Sequence, residues 1–363
     1  MKKFILLNVL LLFFSCGKEL KIATDNQDSK NGQITQKQSE LIFEKIKFFP
    51  NKTQISIAII ENKRVNFYGV KREKDKIISI ENHDRVFEIG SISKVFTSTL
   101  LASLVLDNKI HLEDNISDYL GIELNNEEKL TFKELANHTS GMPRLAQNRG
   151  FGLFLDKYNP YKDYGEEKLL EYITEKMELG EKKWAYSNVG VALLGYTLTK
   201  VANKSYQDLL SDRIFTKYEM KNSTTKRKNI ENRLVKGLNQ DGDVTPNWDM
   251  AIHVGAGGIL STVEDLSKFA IAQFNSKNIE LELTRKKTHE IRKGRSVALG
   301  WHKIKNENMN EFYSHNGGTG GYTSSIAVDV ENENGVIILS NVSSYHNDYE
   351  SIISLCYELF NTL

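Results

Sequence analysis

The order of strand-like and helix-like segments most constrains how this 363-residue chain can fold. Residues 55–60 and 65–70 are apolar runs of residues that favour strands, and the short polar stretch between them predicts a hairpin. Residues 325–330 and 336–339 predict a second hairpin near the C-terminus. The simplest fold pairs these strands, from opposite ends of the chain, in one antiparallel sheet.

Helical spacing of apolar residues dominates the rest of the chain. It predicts helices over residues 36–48, 92–107, 131–137, 166–178, 189–202, 205–215 and 348–360. We therefore expect an α+β (α/β sandwich) fold, in which terminal helices flank the sheet and the central helices form an all-helical second lobe. The predicted sheet domain comprises residues 36–90 plus 250–363, and the mainly helical lobe comprises residues 91–249. A cleft between the lobes is a natural ligand site.

The first residues of the chain predict export. Two lysines precede a short apolar run that ends at Ser15 and Cys16, a pattern typical of a secretory signal and too short for a permanent membrane span. The run resembles a lipoprotein signal, so we expect residues 1–16 to be a signal peptide and Cys16 to carry lipid. A plain signal peptide with a chance cysteine is the alternative. A lipidated Cys16 would anchor the protein to a membrane facing the periplasm or the exterior of the cell, with residues 17–35 as a flexible tether.

Composition narrows the possible partners. The formal net charge of +1 gives no reason to expect nucleic acid. Only Cys16 and Cys356 are cysteines, so a lipidated Cys16 leaves no disulfide, and the apolar helical pattern around Cys356 predicts a buried thiol. Because the chain lacks a Cys/His cluster and an HExxH motif, we expect neither a metal nor an organic cofactor.

A serine and a lysine one helical turn apart are the first candidate catalytic pair. Ser91 and Lys94 form an S-x-x-K motif where a short strand gives way to a helix. Free backbone N–H groups at a helix start stabilise a developing anion, and a lysine held in a closed cleft can lose its proton and activate the serine. Taken alone, the motif favours a helix-capping serine with a solvent-facing lysine, and Ser15 and Lys18 match it too.

Two further segments carry groups suited to the same chemistry. Tyr186 and Asn188 precede an apolar helix, where the phenol could shuttle a proton and the amide could bind a substrate amide. In the glycine-rich segment before the strand at 325–330, Gly317 and Gly318 would let a substrate backbone approach, and the Gly318 N–H could join that of Ser91 in an oxyanion hole. His315 would place a donor, charged or neutral, at the cleft rim. A buried tyrosine with a capping asparagine, and a simple glycine-rich turn, are the structural alternatives.

Four segments together resemble the class C β-lactamases and their relatives, the D-alanyl-D-alanine peptidases and esterases. The segment at 86–94 (VFEIGSISK) resembles their nucleophile segment, and those at 135–143 (LANHTSGMP), 255–262 (GAGGILST) and 299–301 (LGW) resemble three further motifs. The resemblance runs from about residue 40 to the C-terminus. It implies a β-lactamase/transpeptidase-like fold, a three-layer sheet domain with a helical insert.

The resemblance also assigns roles to individual residues. It implies that Ser91 is the nucleophile, Lys94 its proton partner, Tyr186 the catalytic tyrosine and Asn188 the amide-binding residue. His315 occupies the position at which true class C β-lactamases carry lysine. Because histidine is only partly charged near neutral pH, we expect weak or no hydrolysis of β-lactams.

His138 is a second candidate base, for a Ser-His-Asp arrangement. No G-x-S-x-G motif surrounds a serine in this chain, so we interpret His138 as a structural loop residue.

The sequence therefore predicts a serine hydrolase that forms an acyl-enzyme. Its expected substrate is a small molecule or peptide, with a D-alanyl peptide of cell-wall precursors favoured because the chain carries an export signal. A class C-like β-lactamase or a carboxylesterase is the nearer alternative. A non-catalytic lipoprotein that binds β-lactam or peptidoglycan is the more distant one.

Overall fold

The computed structural model describes residues 22–27, 34–149, 156, 158–305 and 311–363 of the chain. The helices, named in chain order, are α1 Gln36–Ile46, α2 Ser93–Leu106, α3 Ser117–Leu120, α4 Phe132–Ala136, α5 Glu166–Glu171, α6 Asn188–Ala202, α7 Tyr206–Leu210, α8 Val254–Gly257, α9 Val263–Ala272, α10 Ile279–Arg285 and α11 Glu350–Phe360. The strands are β1 Asp25–Asn26, β2 Gln54–Glu61, β3 Arg64–Glu73, β4 Lys76–Ser79, β5 Phe87–Glu88, β6 Leu260–Ser261, β7 His289–Arg292, β8 Arg295–Val297, β9 His302–Lys305, β10 Glu311–Gly318, β11 Thr323–Asp329 and β12 Asn334–Ser340.

One large sheet joins the two ends of the chain. Within the described residues its strand order is β1-β4-β3-β2-β12-β11-β10-β9-β8-β7, and all neighbours are antiparallel except the short parallel pair β1–β4. Strands β2 and β12 lie side by side at its centre, with Ala58 opposite Ile337. The predicted pairing of the N-terminal and C-terminal hairpins is confirmed, and so is the α+β fold.

Alternating side chains of the central strands face two different layers. Ile57 on β2 and Ile338 on β12 join the core beneath α1 and α11, whereas Ala58 and Ile337 join the core beneath α2 and α9. Side chains alternate between the two faces of a strand. Because apolar residues occupy both faces here, helices can cover both sides of the sheet. The predicted three-layer arrangement follows from these two cores.

The helical lobe shares its core with one face of the sheet. A single continuous cluster of buried side chains runs from β2, β11 and β12 through α2 and α9 into α4 and α6. Two of the predicted helices, over residues 166–178 and 205–215, are shorter as α-helices and continue as π-helical turns, Tyr172–Lys176 and Ser211–Phe215. The exact boundary between sheet domain and lobe stays a prediction.

The predicted flexible tether over residues 17–35 is wrong for the part of it that the structure describes between residues 22 and 27. Asp25 and Asn26 form β1 and pair with Lys76 and Ile77 of β4 at the sheet edge. Ala23 is buried, 1% exposed, in the core beneath α1 and α11. Polar composition suggested a free linker, but one small apolar side chain and an unpaired strand edge suffice to hold the segment. Cys16, with the rest of the predicted signal peptide, lies outside the described residues.

In the part of the chain that the structure covers, none of the helices combines the length and apolarity that a bilayer crossing requires. The predicted burial of Cys356 is confirmed, because its thiol on α11 is 0% exposed and unpaired with another cysteine among the described residues.

Candidate active site

Ser91 lies in a tight helical turn that connects the small β5–β6 ladder to α2. The turn, Gly90–Ile92, runs directly into α2. Gly90 has a φ of +50°, and a Cβ at this position would lie 2.6 Å from the backbone nitrogen of Gly318. Only glycine fits there. The backbone before Ser91 is therefore held in direct contact with the end of β10.

Lys94 stands one helical turn after Ser91, and its amine points at the serine. Its Nζ lies 3.0 Å from Ser91 Oγ and donates to the backbone oxygen of Ala256 at 2.6 Å. The side chain is 1% exposed. Burial lowers the pKa of Lys94 well below its ordinary value, and the nearby positive charge of Arg144 lowers it further. The amine is thus suited to accept a proton near neutral pH.

Tyr186 completes a cluster with these two residues. Its side chain lines the same cleft as Ser91, and its ring centroid lies 4.9 Å from Lys94 Nζ. Burial raises the pKa of Tyr186 above its ordinary value, so the neutral phenol is the stable form. A tyrosine beside a lysine can act as a phenolate or as a proton-donating phenol, and this environment favours the phenol.

His138 fixes the segment that carries Tyr186. Its backbone oxygen accepts a hydrogen bond from Ala185 N at 2.8 Å, and its Nδ1 accepts one from Ser187 N at 3.2 Å. The imidazole ring also lies against the Tyr186 ring, with 4.4 Å between centroids. Burial lowers the pKa of His138 well below its usual range, so the ring is neutral, as the Nδ1 acceptor requires. These contacts agree with a structural loop residue.

The end of β10 passes next to Ser91 through its glycines. A Cβ on Gly317 would lie 2.0 Å from the backbone oxygen of Ile89, and one on Gly318 would lie 2.6 Å from Ser344 Cβ. Ser324, across the ladder on β11, donates from its Oγ to the same Ile89 oxygen at 2.9 Å. The glycine-rich end of β10 therefore packs directly against the residues that lead into the Ser91 turn, and its contact with a substrate stays a prediction.

His315 differs in its exposure and its charge from the rim donor that we expect from the sequence. It is 3% exposed rather than at an open rim. Its Nδ1 lies 2.8 Å from the Asn316 backbone oxygen and must donate to it, because a carbonyl only accepts. Burial lowers the pKa of His315 well below its usual range, with a further contribution from His302. In the resulting neutral tautomer the free Nε2 is an acceptor, because a buried imidazole avoids charge.

Asn188 lies slightly away from the other predicted residues. It opens α6, and its side-chain amide contacts the Tyr161 hydroxyl at 3.4 Å. It is not among the residues that line the cleft around Ser91. Its role in substrate binding stays a prediction.

The cluster opens into a cleft of about 380 Å³. Its described lining residues are Ser91, Arg144, Tyr186, Arg295, His302, Ser314, His315, Asn316, Gly317, Gly318, Ser344, Tyr345, Tyr349, Ile353 and Tyr357. This described lining contains two guanidinium groups and no carboxylate. Among the described residues as a whole, no three His, Cys, Asp or Glu side chains are grouped so as to hold a metal ion.

Sequence reasoning missed Glu88, a carboxylate buried beneath the Ser91 turn. Its Oε1 accepts hydrogen bonds from Asn247 Nδ2 at 2.7 Å and from Trp248 N at 3.0 Å. Burial raises its pKa. Trp248 in turn lies 6.3 Å, between ring centroids, from Tyr345 of the cleft. The sequence could have indicated this site, because an acidic residue inside the apolar run at 86–89 is expected to be buried and to need a hydrogen-bonding partner.

The sheet, the helices on its two faces and the cleft around Ser91 place this protein in the class with a β-lactamase/transpeptidase-like fold. Among solved structures, the chain is similar to the octameric penicillin-binding protein homologue from Pyrococcus abyssi. The TM-score is 0.73 with 25% sequence identity, and the match covers 89% of this chain and 77% of that one.

The chain belongs to the Beta-lactamase family, whose family model matches residues 52–353. This is a family of serine hydrolases. Beta-lactamase-like protein 2 of Dictyostelium discoideum is 28% identical over 204 residues, 53% of this chain and 36% of that protein. The D-alanyl-D-alanine-carboxypeptidase/endopeptidase AmpH of Escherichia coli (strain K12) is 27% identical over 227 residues, 60% of this chain and 56% of that protein. The chain spans about a third to a half of the length of the first curated relatives that it matches.

Proposed function

We propose that this protein is an exported serine hydrolase that forms an acyl-enzyme on Ser91 and releases D-alanine from cell-wall peptides. The observation that carries the proposal is the 3.0 Å separation between Ser91 Oγ and the Nζ of the buried Lys94. Because burial lowers the pKa of this lysine, its neutral amine takes the Ser91 proton as Oγ attacks the substrate carbonyl.

The second proton transfer falls to Tyr186. As the tetrahedral intermediate collapses, the C–N bond breaks and the neutral phenol gives its proton to the leaving amine. Lys94, which holds the Ser91 proton, then reprotonates Tyr186. The backbone N–H groups of Ser91 and Gly318 would hold the oxyanion, an assignment supported by the close packing of Gly90 on Gly318, where an added Cβ would clash with the Gly318 nitrogen. Water then attacks the ester carbonyl and gives a proton to Lys94. As the C–O bond to Ser91 breaks, this proton passes to Ser91 Oγ and the acid leaves.

Two features support a D-alanyl peptide as the substrate. The name of the similar Escherichia coli protein is that of a D-alanyl-D-alanine-carboxypeptidase/endopeptidase. The export signal expected at residues 1–16 would bring the enzyme to the envelope, where such peptides are made, and lipid on Cys16 would keep it at a membrane surface. Because His315 is neutral, it offers no positive charge to the carboxylate of a β-lactam, and we therefore expect slow β-lactam turnover.

Intact-protein mass spectrometry and product release test the proposal together. Wild type and Ser91→Ala are incubated separately with an acyl-D-Ala-D-Ala peptide, a p-nitrophenyl ester, a chromogenic cephalosporin and a penicillin. We expect D-alanine release and a penicillin adduct with wild type only. Ester turnover without D-alanine release would show that the protein is an esterase and not a peptidase. Rapid cephalosporin turnover would show that it is a β-lactamase. Equal labelling of Ser91→Ala would overturn the nucleophile itself.

A further inference from the structure

The segment that leads from the expected lipid site into the domain is fixed to one edge of the sheet. Ala23 N donates to the Lys47 backbone oxygen at 2.9 Å, and Gln27 N donates to the Ile77 backbone oxygen at 3.1 Å. Between these two hydrogen bonds, strand β1 pairs with β4, and the Ala23 side chain is buried. The chain is therefore held on the domain from its first described residues onward.

This attachment shortens the connection to a lipid on Cys16. A free tether over residues 17–35 could extend by roughly 65 Å, because a chain spans at most about 3.5 Å per residue. Residues 17–21, which precede the attached segment, can extend by roughly 17 Å. A lipid on Cys16 would thus hold this edge of the domain close to the membrane surface.

Two large apolar side chains are exposed at the same edge. Ile22 is 49% exposed and Phe48 is 41% exposed. They lie close together, because each is one residue away from the hydrogen bond between Ala23 N and the Lys47 oxygen. The Lys47 Nζ lies 5.2 Å from the centroid of the Phe48 ring. Exposed apolar side chains beside a basic group are typical of a surface that inserts into the headgroup layer of a membrane.

Two exposed lysines belong to the same edge, and the buried Arg72 connects them to it. The Arg72 side chain donates to the backbone oxygens of Lys74 at 3.0 Å and Lys47 at 3.1 Å. The Arg72 backbone oxygen accepts a hydrogen bond from Lys52 N at 3.0 Å. Neither Lys52 nor Lys74 takes part in an ion pair within the residues that the structure describes. These two lysines outnumber Asp75, the exposed acid next to Lys74, so the local charge favours anionic headgroups.

We propose that a docking patch at this edge lies on the membrane surface that carries the lipid anchor; the patch consists of Ile22, Phe48, Lys52 and Lys74. This proposal rests on the lipid anchor of the proposed function and adds the face by which the domain contacts the membrane. The two apolar side chains enter the headgroup layer, and the two lysines extend towards lipid phosphates.

The docking patch also limits which peptides the enzyme reaches. The patch lies at the β1 edge of the sheet, whereas the Ser91 turn packs against the end of β10. Six steps along the strand order separate β1 from β10, and neighbouring strands lie about 4.8 Å apart, so the separation across the sheet is roughly 30 Å. Together with the reach of residues 17–21, this places Ser91 on the order of 50 Å or less from the membrane. The expected substrates are therefore cell-wall peptides presented near the membrane.

An environment-sensitive fluorophore tests the docking patch on the lipidated full chain. Because Cys16 is expected to be blocked by lipid and Cys356 is buried, Thr24→Cys gives a single reactive thiol at an exposed position near Ile22. Ile279→Cys, at a position that is 54% exposed on α10, is the matched control. In vesicles of phosphatidylcholine and phosphatidylglycerol, we expect the Thr24 label to shift to the blue and to be quenched by lipids that carry a headgroup nitroxide. We expect the Ile279 label to remain in water.

Substitutions in the patch distinguish docking from tethering by the lipid alone. With the label at Thr24→Cys, we expect Ile22→Ser combined with Phe48→Ser to lose the blue shift and most of the quenching, while the lipid still holds the protein on the vesicles. Lys52→Gln combined with Lys74→Gln should weaken the quenching in vesicles that contain phosphatidylglycerol and not in pure phosphatidylcholine. Ile279→Ser should change neither signal. Hydrolysis of a soluble ester should be equal in all variants, because the patch lies far from the cleft.

Three outcomes overturn the proposal. The Thr24 label could be as exposed to water as the Ile279 label, or the double serine variant could be quenched like wild type. A blue shift without quenching by lipid nitroxides would mean that a second copy of the chain covers the patch. Mass spectrometry of the same samples separates the proposed function. An unmodified Cys16 overturns the lipid anchor and this proposal with it, whereas a Ser91 that fluorophosphonate does not label overturns the hydrolase and leaves the docking result standing.

Discussion

The two faces of the large sheet bury different kinds of side chain. Beneath α1 and α11 the core is mainly apolar, as with Ile42, Ile338 and Leu355, and Cys356 acts as a small hydrophobic group there. The buried Arg72 in this region donates to the backbone oxygen of Phe49. Beneath α2 the interior includes Lys94, 1% exposed, whose amine contacts Ser91 Oγ and the backbone oxygen of Ala256 and has no carboxylate partner among the described ion pairs. The core beneath α1 and α11 therefore mainly provides stability, whereas burial of the Lys94 amine beneath α2 costs stability, as the proposed role of Lys94 would require.

Lys94→Met should give the largest effect and should separate activity from stability. Met fills a similar volume but cannot accept the Ser91 proton, so we expect kcat/KM to fall by about 10³-fold. Removing a buried amine also removes its desolvation cost, so we expect the free energy of unfolding to rise by about 1 kcal/mol. Ester hydrolysis and denaturant unfolding measure the two effects. A variant that loses activity because it is unfolded would contradict this reading.

The pH dependence of that stability gain has a definite sign. In wild type the pKa of Lys94 is lowered on folding, whereas the unfolded lysine titrates at about 10.4. Between the lowered pKa and about 10.4 the unfolded chain binds a proton that the folded chain does not, so wild-type stability increases as pH rises through this window. The advantage of Lys94→Met is therefore greatest below the folded pKa and disappears as pH approaches about 10.4. An advantage independent of pH would show that Lys94 is charged in the folded protein.

Leu355→Ala tests the opposite face. Leu355 on α11 is 0% exposed beneath the sheet, so its truncation leaves a cavity, and we expect the free energy of unfolding to fall by about 2–5 kcal/mol. We expect kcat/KM of the folded enzyme to be unchanged, because the Leu355 side chain packs in the core and is not among the residues that line the cleft around Ser91. Ser354→Ala, on the same helix and partly exposed, is the control. A change in kcat/KM larger than twofold would mean that the two faces are coupled.

The same contrast explains how much could be predicted from the sequence. Apolar periodicity indicated the terminal hairpins, their shared sheet and helix α11, because burial on a regular element leaves a regular pattern. Helical spacing predicted that Ser91 and Lys94 share one face of the helix, but only the four motifs together favoured a catalytic pair over a capping serine and an exposed lysine. Arg295 carried no such signal, since its place in the cleft depends on how β8 is aligned with β9 in the folded sheet. The neutral state of His315 depends on burial that no local pattern reports.

His138 offers the finest test of the active-site face, because it acts on Tyr186 through another segment. We expect His138→Ala to lower kcat by about 10- to 100-fold with little change in KM, since a misplaced phenol slows proton transfer more than binding. His138 has a φ of +63°, a conformation that asparagine tolerates, and an asparagine side-chain oxygen could still accept from Ser187 N. His138→Asn should therefore recover part of the rate, while the acidic limb of the pH profile, set by Lys94, stays in place. If His138→Asn is as slow as His138→Ala, the hydrogen bond to Ser187 is not what positions the phenol. If the acidic limb moves, His138 itself titrates in catalysis.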